Sequence, residues 1–509
     1  MFASPQDTIA ALATPVGTSA IALLRVSGPA VGEIARALVS TAGNDATSFA
    51  PVYSPAPTLG GGVENSGNAA SSGSKGEGDV PTSASPGKGD FLPSPALLPL
   101  APRVATRADY RALSGELIDD VLLTLFRAPA SYTGEDTLEI SCHGNPYIAQ
   151  KILEDLVARG CRHAAPGEFT QRAFLAGRLD LSQAEAVMDL IHARGERALA
   201  AANQQLRGSL GRHMQGLIDR LLVILARIEA YIDFPEEDLP REDQSWVGTE
   251  VDKLQVSVSK ILETNHYGDI LREGLRVVIL GEPNVGKSSL LNALLGRDRA
   301  LVSERPGTTR DYLEEMLLLG GFPFRLIDTA GLNENPEEIE AKGIEKSLSL
   351  TEEADLLLLV IDASRPPPTL PKPVLAAIRP ERALLVANKS DLPPHPATAA
   401  AWPEIQRVRT SMLTGEGVEA LRTALARHAE LFHVEQGADV IAINARHAEA
   451  LARAKTGLAR ALEQFRAQAP VELVSSELRG VLDAFGEIAG RVDNERMLDQ
   501  LFASFCIGK

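Results

Sequence analysis

The sequence predicts a multidomain α/β-plus-α protein: an N-terminal α+β domain, then a helical domain split by an inserted α/β domain. Three observations predict it. Apolar residues recur at helical spacing over residues 182–234 and again over 445–469 and 472–501, and neither stretch looks complete alone. Between them, short apolar runs alternate with helical segments, the pattern of a sheet with crossover helices. Ahead of them, strand and helix patterns lie on both sides of a segment too polar and flexible to bury a core. The expected divisions are 1–179 for the first domain, 180–273 and 435–509 for the two halves of the helical domain, and 274–434 for the inserted domain.

Taken in order, residues 7–28 read as an extended piece, a Thr-Pro-x-Gly turn at Thr14 to Gly17, and a strand over 19–26, with a helix over 31–38. Residues 41–105 are rich in Gly, Ser, Ala and Pro and are expected to form a disordered insertion. Strand patterns over 117–125 and 137–140 and a helix over 148–158 complete the first domain across it. Met214, Leu217, Leu221, Leu225 and Ile228 mark the apolar face of long antiparallel helices that stop at Pro235. Val474, Leu478, Leu482 and Phe485 mark that of the last helix, after Pro470.

Composition narrows the function. The 509 residues are 44% apolar, enough for several cores. Cys142, Cys161 and Cys506 are far apart and odd in number, which suggests neither a disulfide framework nor a zinc site and fits a reducing cytoplasm. No apolar run approaches the roughly 18 residues of a spanning helix, and the first residues lack a basic n-region, so neither a membrane span nor a signal peptide is expected. A net charge of −17 argues against a surface that grips a phosphate backbone throughout. An RNA substrate would need a local basic patch or a partner that carries one.

The chemistry lies in the inserted domain. A strand over 276–280 runs into Gly281-Glu282-Pro283-Asn284-Val285-Gly286-Lys287-Ser288-Ser289, and a helix follows. Such a P-loop turns successive N–H groups onto the β and γ phosphates at a helix N-terminus; Lys287 neutralises their charge and Ser288 supplies a hydroxyl to Mg²⁺. Asp328-Thr329-Ala330-Gly331 ends a second strand, where a carboxylate reaches the Mg²⁺ water shell and a glycine N–H senses the γ-phosphate. Asn388-Lys389-Ser390-Asp391 ends a third strand, and Asp391 can accept from N1–H and the exocyclic amine of guanine, a donor pair that adenine lacks. Lys389 is expected along the base and Ser411-Met412-Leu413 near its carbonyl edge, with Met412 standing where alanine is usual. These motifs in this order predict GTP. Thr309, in Gly307-Thr308-Thr309-Arg310, is the expected switch ligand to Mg²⁺.

Hydrolysis needs another source of charge, because Leu332 occupies the position where many GTPases carry a water-orienting glutamine. The amide oxygen of Asn284 and backbone oxygens of the loop Ser303-Glu304-Arg305-Pro306-Gly307-Thr308, at Ser303, Arg305 and Thr308, form a candidate cage for K⁺. The plainer reading is that Asn284 braces the loop. Glu340 is a candidate for orienting water, although on pattern alone any acidic residue of 334–345 reads as a solvated loop charge.

Three further segments carry a resemblance: Leu24-Arg25-Val26-Ser27-Gly28, Thr133-Gly134-Glu135-Asp136-Thr137-Leu138-Glu139, and Pro166-Gly167-Glu168-Phe169-Thr170-Gln171-Arg172-Ala173-Phe174. With the terminal Cys506-Ile507-Gly508-Lys509 they make the chain similar, outside the insertion, to the MnmE (TrmE) family of tRNA-modification GTPases, relatives of the Era and EngA G proteins. The resemblance implies a Ras-like G domain that dimerises with K⁺ bound, and an N-terminal domain that forms the homodimer and binds a tetrahydrofolate derivative, 5-formyl- or 5,10-methylene-. Arg25, Glu139, Arg178 and Lys509 fall at the folate positions, Arg178 replacing a lysine of some members. Cys506 falls near the modification chemistry, and Glu340 is singled out as catalytic beside Lys287. It also implies a flavoprotein partner, MnmG, in a heterotetramer that adds an aminomethyl or carboxymethylaminomethyl group at C5 of the wobble uridine, U34, of certain tRNAs. Two other readings compete: a regulatory GTPase of ribosome assembly, which the G-domain motifs alone suit equally, and a folate-dependent one-carbon transferase with the G domain as regulator.

Overall fold

The computed structural model describes residues 7–40, 100–233, 241–296, 313–328, 350–370, 372–432, 441–490, 501–503 and 505–508. They fall into two compact units, Met1–Arg178 with Arg496–Lys509, and Leu179–Glu495, each treated by itself.

In the first unit, β1 (Ile9–Leu12), β2 (Ile21–Ser27), β3 (Thr106–Arg111), β4 (Leu117–Phe126), β5 (Thr137–His143) and β6 (Arg162–His163) form one sheet in the order β3-β4-β5-β2-β1-β6. Its pairings are antiparallel except that of β1 with β6. Because side chains alternate across a strand, Ala22, Leu24 and Val26 share a core with Val121, Leu123 and Leu125, and helices Val31–Ser40 and Pro146–Ala158 cover it with Ile34, Leu38, Ile152 and Leu156. Leu100 belongs to this core and the Arg103 N–H donates to the Leu125 carbonyl at 2.8 Å. The insertion therefore ends before residue 105, since Leu100 is buried in this core whatever the composition of its neighbours. Residues 41–99 lie outside the described residues.

The second unit begins with helices. The stretch read as long helices divides into Leu181–His192, Glu196–Leu206 and Ser209–Asp233, broken at Gly195 and at Gly208, whose φ of +77° suits a residue without a Cβ. Helix Arg241–Leu262, not singled out in the sequence, buries Val247, Val251, Leu254, Val258 and Ile261 at alternating steps of four and three. Helices Ser209–Asp233 and Arg241–Leu262 share one core with Ala445–Arg466 and Val471–Ala489, so residues from both sides of the inserted sheet bury one another.

That sheet comprises β7 (Leu275–Leu280), β8 (Leu313–Leu319), β9 (Phe322–Asp328), β10 (Leu356–Asp362), β11 (Ala383–Asn388) and β12 (Gln406–Arg409) in the order β12-β11-β10-β7-β9-β8, with β8 alone antiparallel to its neighbour. β10 and β11 are buried residue by residue, as a sheet covered on both faces requires. The return from sheet to helices is a short extended segment in which Ile441 and Ile443 enter the helical core while Ala442 enters the sheet core. Arg272, just before β7, donates to the Ile443 carbonyl, and a Cβ on Gly268 would sit 2.3 Å from that same oxygen. Both chain crossings are thereby pinned to each other.

Next to this junction Arg446 holds the buried Glu185 carboxylate through two bonds of 2.8 and 3.0 Å. The Asn444 N–H donates to His447 Nδ1 at 3.3 Å, and Nε2 lies 2.8 Å from both the Glu185 carboxylate and the Arg446 guanidinium. Burial works to raise the Glu185 carboxyl, but charge and hydrogen bonds from His447 and Arg446 outweigh it and hold it far below the usual carboxylate range. Burial pulls His447 below 6.5, so the ring is neutral near pH 7 and Arg446 supplies the countercharge.

Both folded values lie below the unfolded ones, so the unfolded chain takes up protons that the folded chain refuses. This stability is complete above pH 6.5 and falls as acid protonates the unfolded histidine, then falls further below 4.5 as unfolded Glu185 protonates. Urea midpoints should accordingly drop between pH 7 and pH 5. Glu185→Gln, which leaves Arg446 unpaired, should cost about 3–5 kcal/mol in the same titration at pH 7. Burial also pushes the thiols of Cys142 and Cys161 up to about 11. In the native protein at pH 7.5, a thiol reagent should therefore label the exposed Cys506 and spare both others until denaturant is added.

Candidate nucleotide and folate sites

In an open parallel sheet, ligands bind beyond the carboxyl ends of the strands, and the motif residues gather there. Gly281 follows β7, Asp328 ends β9, Asp362 ends β10 and Asn388 ends β11. The P-loop crosses close over β10: a Cβ on Gly281, at φ +154°, would lie 2.3 Å from the Val360 carbonyl. Asn284 is left-handed at φ +63°, and its side chain is exposed. Gly286, φ +101°, caps the helix Lys287–Leu295.

Lys287 is buried and donates to the carbonyls of Gly281 and Glu282 at 2.8 and 2.9 Å. Burial lowers its pKa, against the Asp328 carboxylate, which raises it. Ser288 Oγ donates to Asp328 Oδ2 at 3.4 Å, so a hydroxyl and a carboxylate meet where the phosphates would end. These hard oxygen donors fit Mg²⁺, which takes few protein ligands and completes its shell with water and phosphate oxygens. Ser289 is exposed one residue on, and Val285 is anchored in the sheet core.

The other end of the site is organised by Asn388. Its amide donates to the Val285 carbonyl at 2.8 Å, and its carbonyl accepts from the Met412 N–H at 3.1 Å. P-loop and guanine loop thus hang on one side chain. Met412 takes part through its backbone, for which its side chain is immaterial. Ser411 is buried and donates to Asp391 Oδ1 at 2.6 Å, which orients the carboxylate that would read the base, while Leu413 stands exposed. Lys389, left-handed at φ +60°, donates to Asp362 at 2.7 Å. Asp362 was not picked out in the sequence; the signal was available, since it ends an apolar run just as Asp328 and Asn388 do. Ser303, Glu304, Arg305, Pro306, Gly307, Thr308, Thr309, Thr329, Ala330, Gly331 and Glu340 lie outside the described residues.

In the first unit, Arg25 on β2 and Glu139 on β5 are cross-strand partners bonded at 2.8 and 3.1 Å. The guanidinium carbon lies 5.7 Å from the Tyr132 ring and 5.8 Å from that of Phe169. Phe502 and Phe505 pack on Gly167, whose N–H donates to the Cys506 carbonyl at 3.3 Å. A Cβ on Gly508 would lie 2.4 Å from the Leu12 carbonyl, so glycine permits the last turn to approach β1. The Gly508 carbonyl, 3.4 Å from Arg25, accepts from the guanidinium. A carboxylate and a cation between two rings suit the amide edge and flat body of a pteridine. Arg178 is exposed on a separate loop with its stem against Gly134, and Lys509 lies outside the described residues.

Two family models match the chain: the MnmE helical domain over residues 181–506 and the N-terminus of the GTP-binding protein TrmE over 90–178. Among curated proteins, the tRNA modification GTPase MnmE of Opitutus terrae is 48% identical over 99% of both chains. The protein of the same name from Akkermansia muciniphila is 41% identical over the same shares. Among solved structures, the G domain of the T. maritima FeoB iron transporter matches 30% of this chain and 98% of its own, at 29% identity and a TM-score of 0.22. With a family model over more than half of its length and relatives this similar from end to end, the chain belongs to the MnmE family of GTPases.

Proposed function

We propose that this protein is a K⁺-stimulated GTPase that acts on tRNA, adding with a flavoprotein partner of the MnmG type an aminomethyl or carboxymethylaminomethyl group at C5 of wobble uridine. The full-length similarity to proteins named tRNA modification GTPase MnmE carries the reading. The arrangement around Asn388 supports guanine as the base: Ser411 presents the Asp391 carboxylate to a donor pair that only guanine offers.

Within the site, Lys287 moves from its loop carbonyls to the β and γ phosphates, whose charge repays its burial better than neutral carbonyls do. Ser288 and Asp328 would hold a Mg²⁺, which would neutralise phosphate charge. Asn284 provides one oxygen of the K⁺ cage, with Ser303, Arg305 and Thr308 as the others, and Thr309 and Glu340 serve as Mg²⁺ ligand and water-orienting group. In the first unit, Glu139 accepts from the pteridine edge, while Arg25, Arg178 and Lys509 bind the rest of the folate that supplies the one-carbon unit. A homodimer, cytoplasmic location and heterotetramer with the flavoprotein complete the reading. RNA contact is shared with that partner, consistent with a net charge of −17. No described helix is long and apolar enough to cross a membrane.

GTP turnover should be much faster in KCl than in NaCl at equal ionic strength, approaching the about 10³- to 10⁵-fold effect of an arginine finger, and Asn284→Ala should abolish the difference. Equal rates in both salts would sink the cation mechanism. Arg25→Ala should abolish 5-formyltetrahydrofolate binding by calorimetry and leave GTP turnover unchanged. Expressed in cells lacking the native gene, that variant should also fail to restore C5-modified uridine in tRNA hydrolysates, where the parent restores it; modification in the gene-deleted cells themselves would overturn the tRNA assignment.

A further inference from the structure

The Asp362-Ala363-Ser364 segment at the end of β10 is assigned no part by the nucleotide motifs, yet it is built into the same strand ends. Asp362 is buried, and each of its carboxylate oxygens has a separate task. Oδ1 accepts from the Ser364 N–H at 3.0 Å and from its hydroxyl at 2.6 Å. Oδ2 accepts from the Lys389 ammonium at 2.7 Å. The backbone fastens the same place: the Ala363 N–H donates to the Asn388 carbonyl at 2.9 Å, and the His395 N–H donates to the Ala363 carbonyl at 2.8 Å. Lys389 meanwhile keeps a left-handed backbone, an unfavourable conformation for a residue with a Cβ. Strain of this kind persists where surrounding bonds over-determine it, and the lysine has such bonds at both ends.

We propose that Asp362, fixed by Ser364, is a positioning residue of the guanine site: it tethers the Lys389 ammonium so that the lysine stem forms one wall of the base slot. This rests on the reading of the Asn388-to-Asp391 segment as the guanine-recognition loop. A long lysine side chain loses considerable rotamer freedom when it packs along a base. A salt bridge already in place removes that cost from nucleotide binding, so the tether acts mainly on the lifetime of the complex. Arg365 also reaches Oδ2, at 3.5 Å, but it is 73% exposed and does not hold the site.

The test is the release rate of a fluorescent GDP analogue from the full chain, measured by stopped flow with unlabelled GDP as competitor. Asp362→Asn should speed release about 10- to 100-fold, the usual weight of a hydrogen bond to a charged group, whereas Arg365→Ala should leave it unchanged. Lys389→Met should speed release as well, and Asp362→Asn added to it should change the rate less than about twofold, because the tether has lost its object. A carboxylate that only caps the turn would give multiplying effects in the double variant, and that result would overturn the proposal, as would release from Asp362→Asn within twofold of the parent. Should Asp362→Asn not fold, Ser364→Ala carries the test: faster release that disappears on the Lys389→Met background supports the tether, and unchanged release refutes it. Asp391→Asn separates the underlying reading. It should weaken GDP and admit XDP, whose base carries a carbonyl in place of the amine, and unaltered GDP binding there would remove the guanine assignment itself.

Discussion

The nucleotide site depends on one side-chain amide. Asn388 is buried, its donor committed to Val285 in the P-loop and its acceptor to Met412 in the guanine loop. The phosphate end and the base end belong to different strands, and a nucleotide can be read at both ends only if they stay at a fixed distance. Gly286 follows from this: a Cβ there would lie 2.4 Å from the Asn388 nitrogen, so the glycine of the loop leaves room for the amide as well as for phosphate. The parallel sheet does the remaining work by bringing the ends of β7, β9, β10 and β11 to one edge.

Most of this arrangement was legible in the sequence because its signals are local. The strand before Lys287 and the strands that end in Asp328 and Asn388 appear within a residue or two of where their apolar runs placed them. What escaped has a common character. The end of an apolar run marks Asp362, but its bond to Lys389, like the Phe502 and Phe505 contacts with Gly167, depends on a partner distant in the chain that no pattern in one segment announces. Helix Arg241–Leu262 escaped for another reason: its apolar stripe is only one residue wide and is interspersed with charge, so its burial is set by the helices it meets. Leu100 shows the converse error, composition of a neighbourhood taken for the fate of each residue in it.

Two ion pairs, one in the candidate folate site and one beside the chain junction, use charge differently. In the first unit, Arg25 and Glu139 are a partly exposed pair between aromatic rings, open to a ligand that can replace one partner with another. In the second unit the Glu185 carboxylate is buried between the half-buried Arg446 and the fully buried, neutral imidazole of His447. Only the carboxylates differ clearly in depth: Glu139 is partly exposed, while Glu185 is buried, so its ion pair can be kept or broken but not readily exchanged.

The segment Ile441-Ala442-Ile443 bears on how such a chain came to be assembled. Its residues alternate between two cores, and the sheet core in turn includes Ala198, Ala201, Tyr267, Ile270 and Leu271 from the helices before β7. A graft of one domain into another normally leaves a scar of linker that either partner can do without. Here the seam has been overgrown, each side supplying apolar surface to the other. An excised sheet cut cleanly at the two crossings would carry a bare patch where those five side chains had been, and the helices would lose the register that the returning segment imposes. Substitutions along the seam are therefore constrained by both cores at once, and neither core can change volume there without repacking the other.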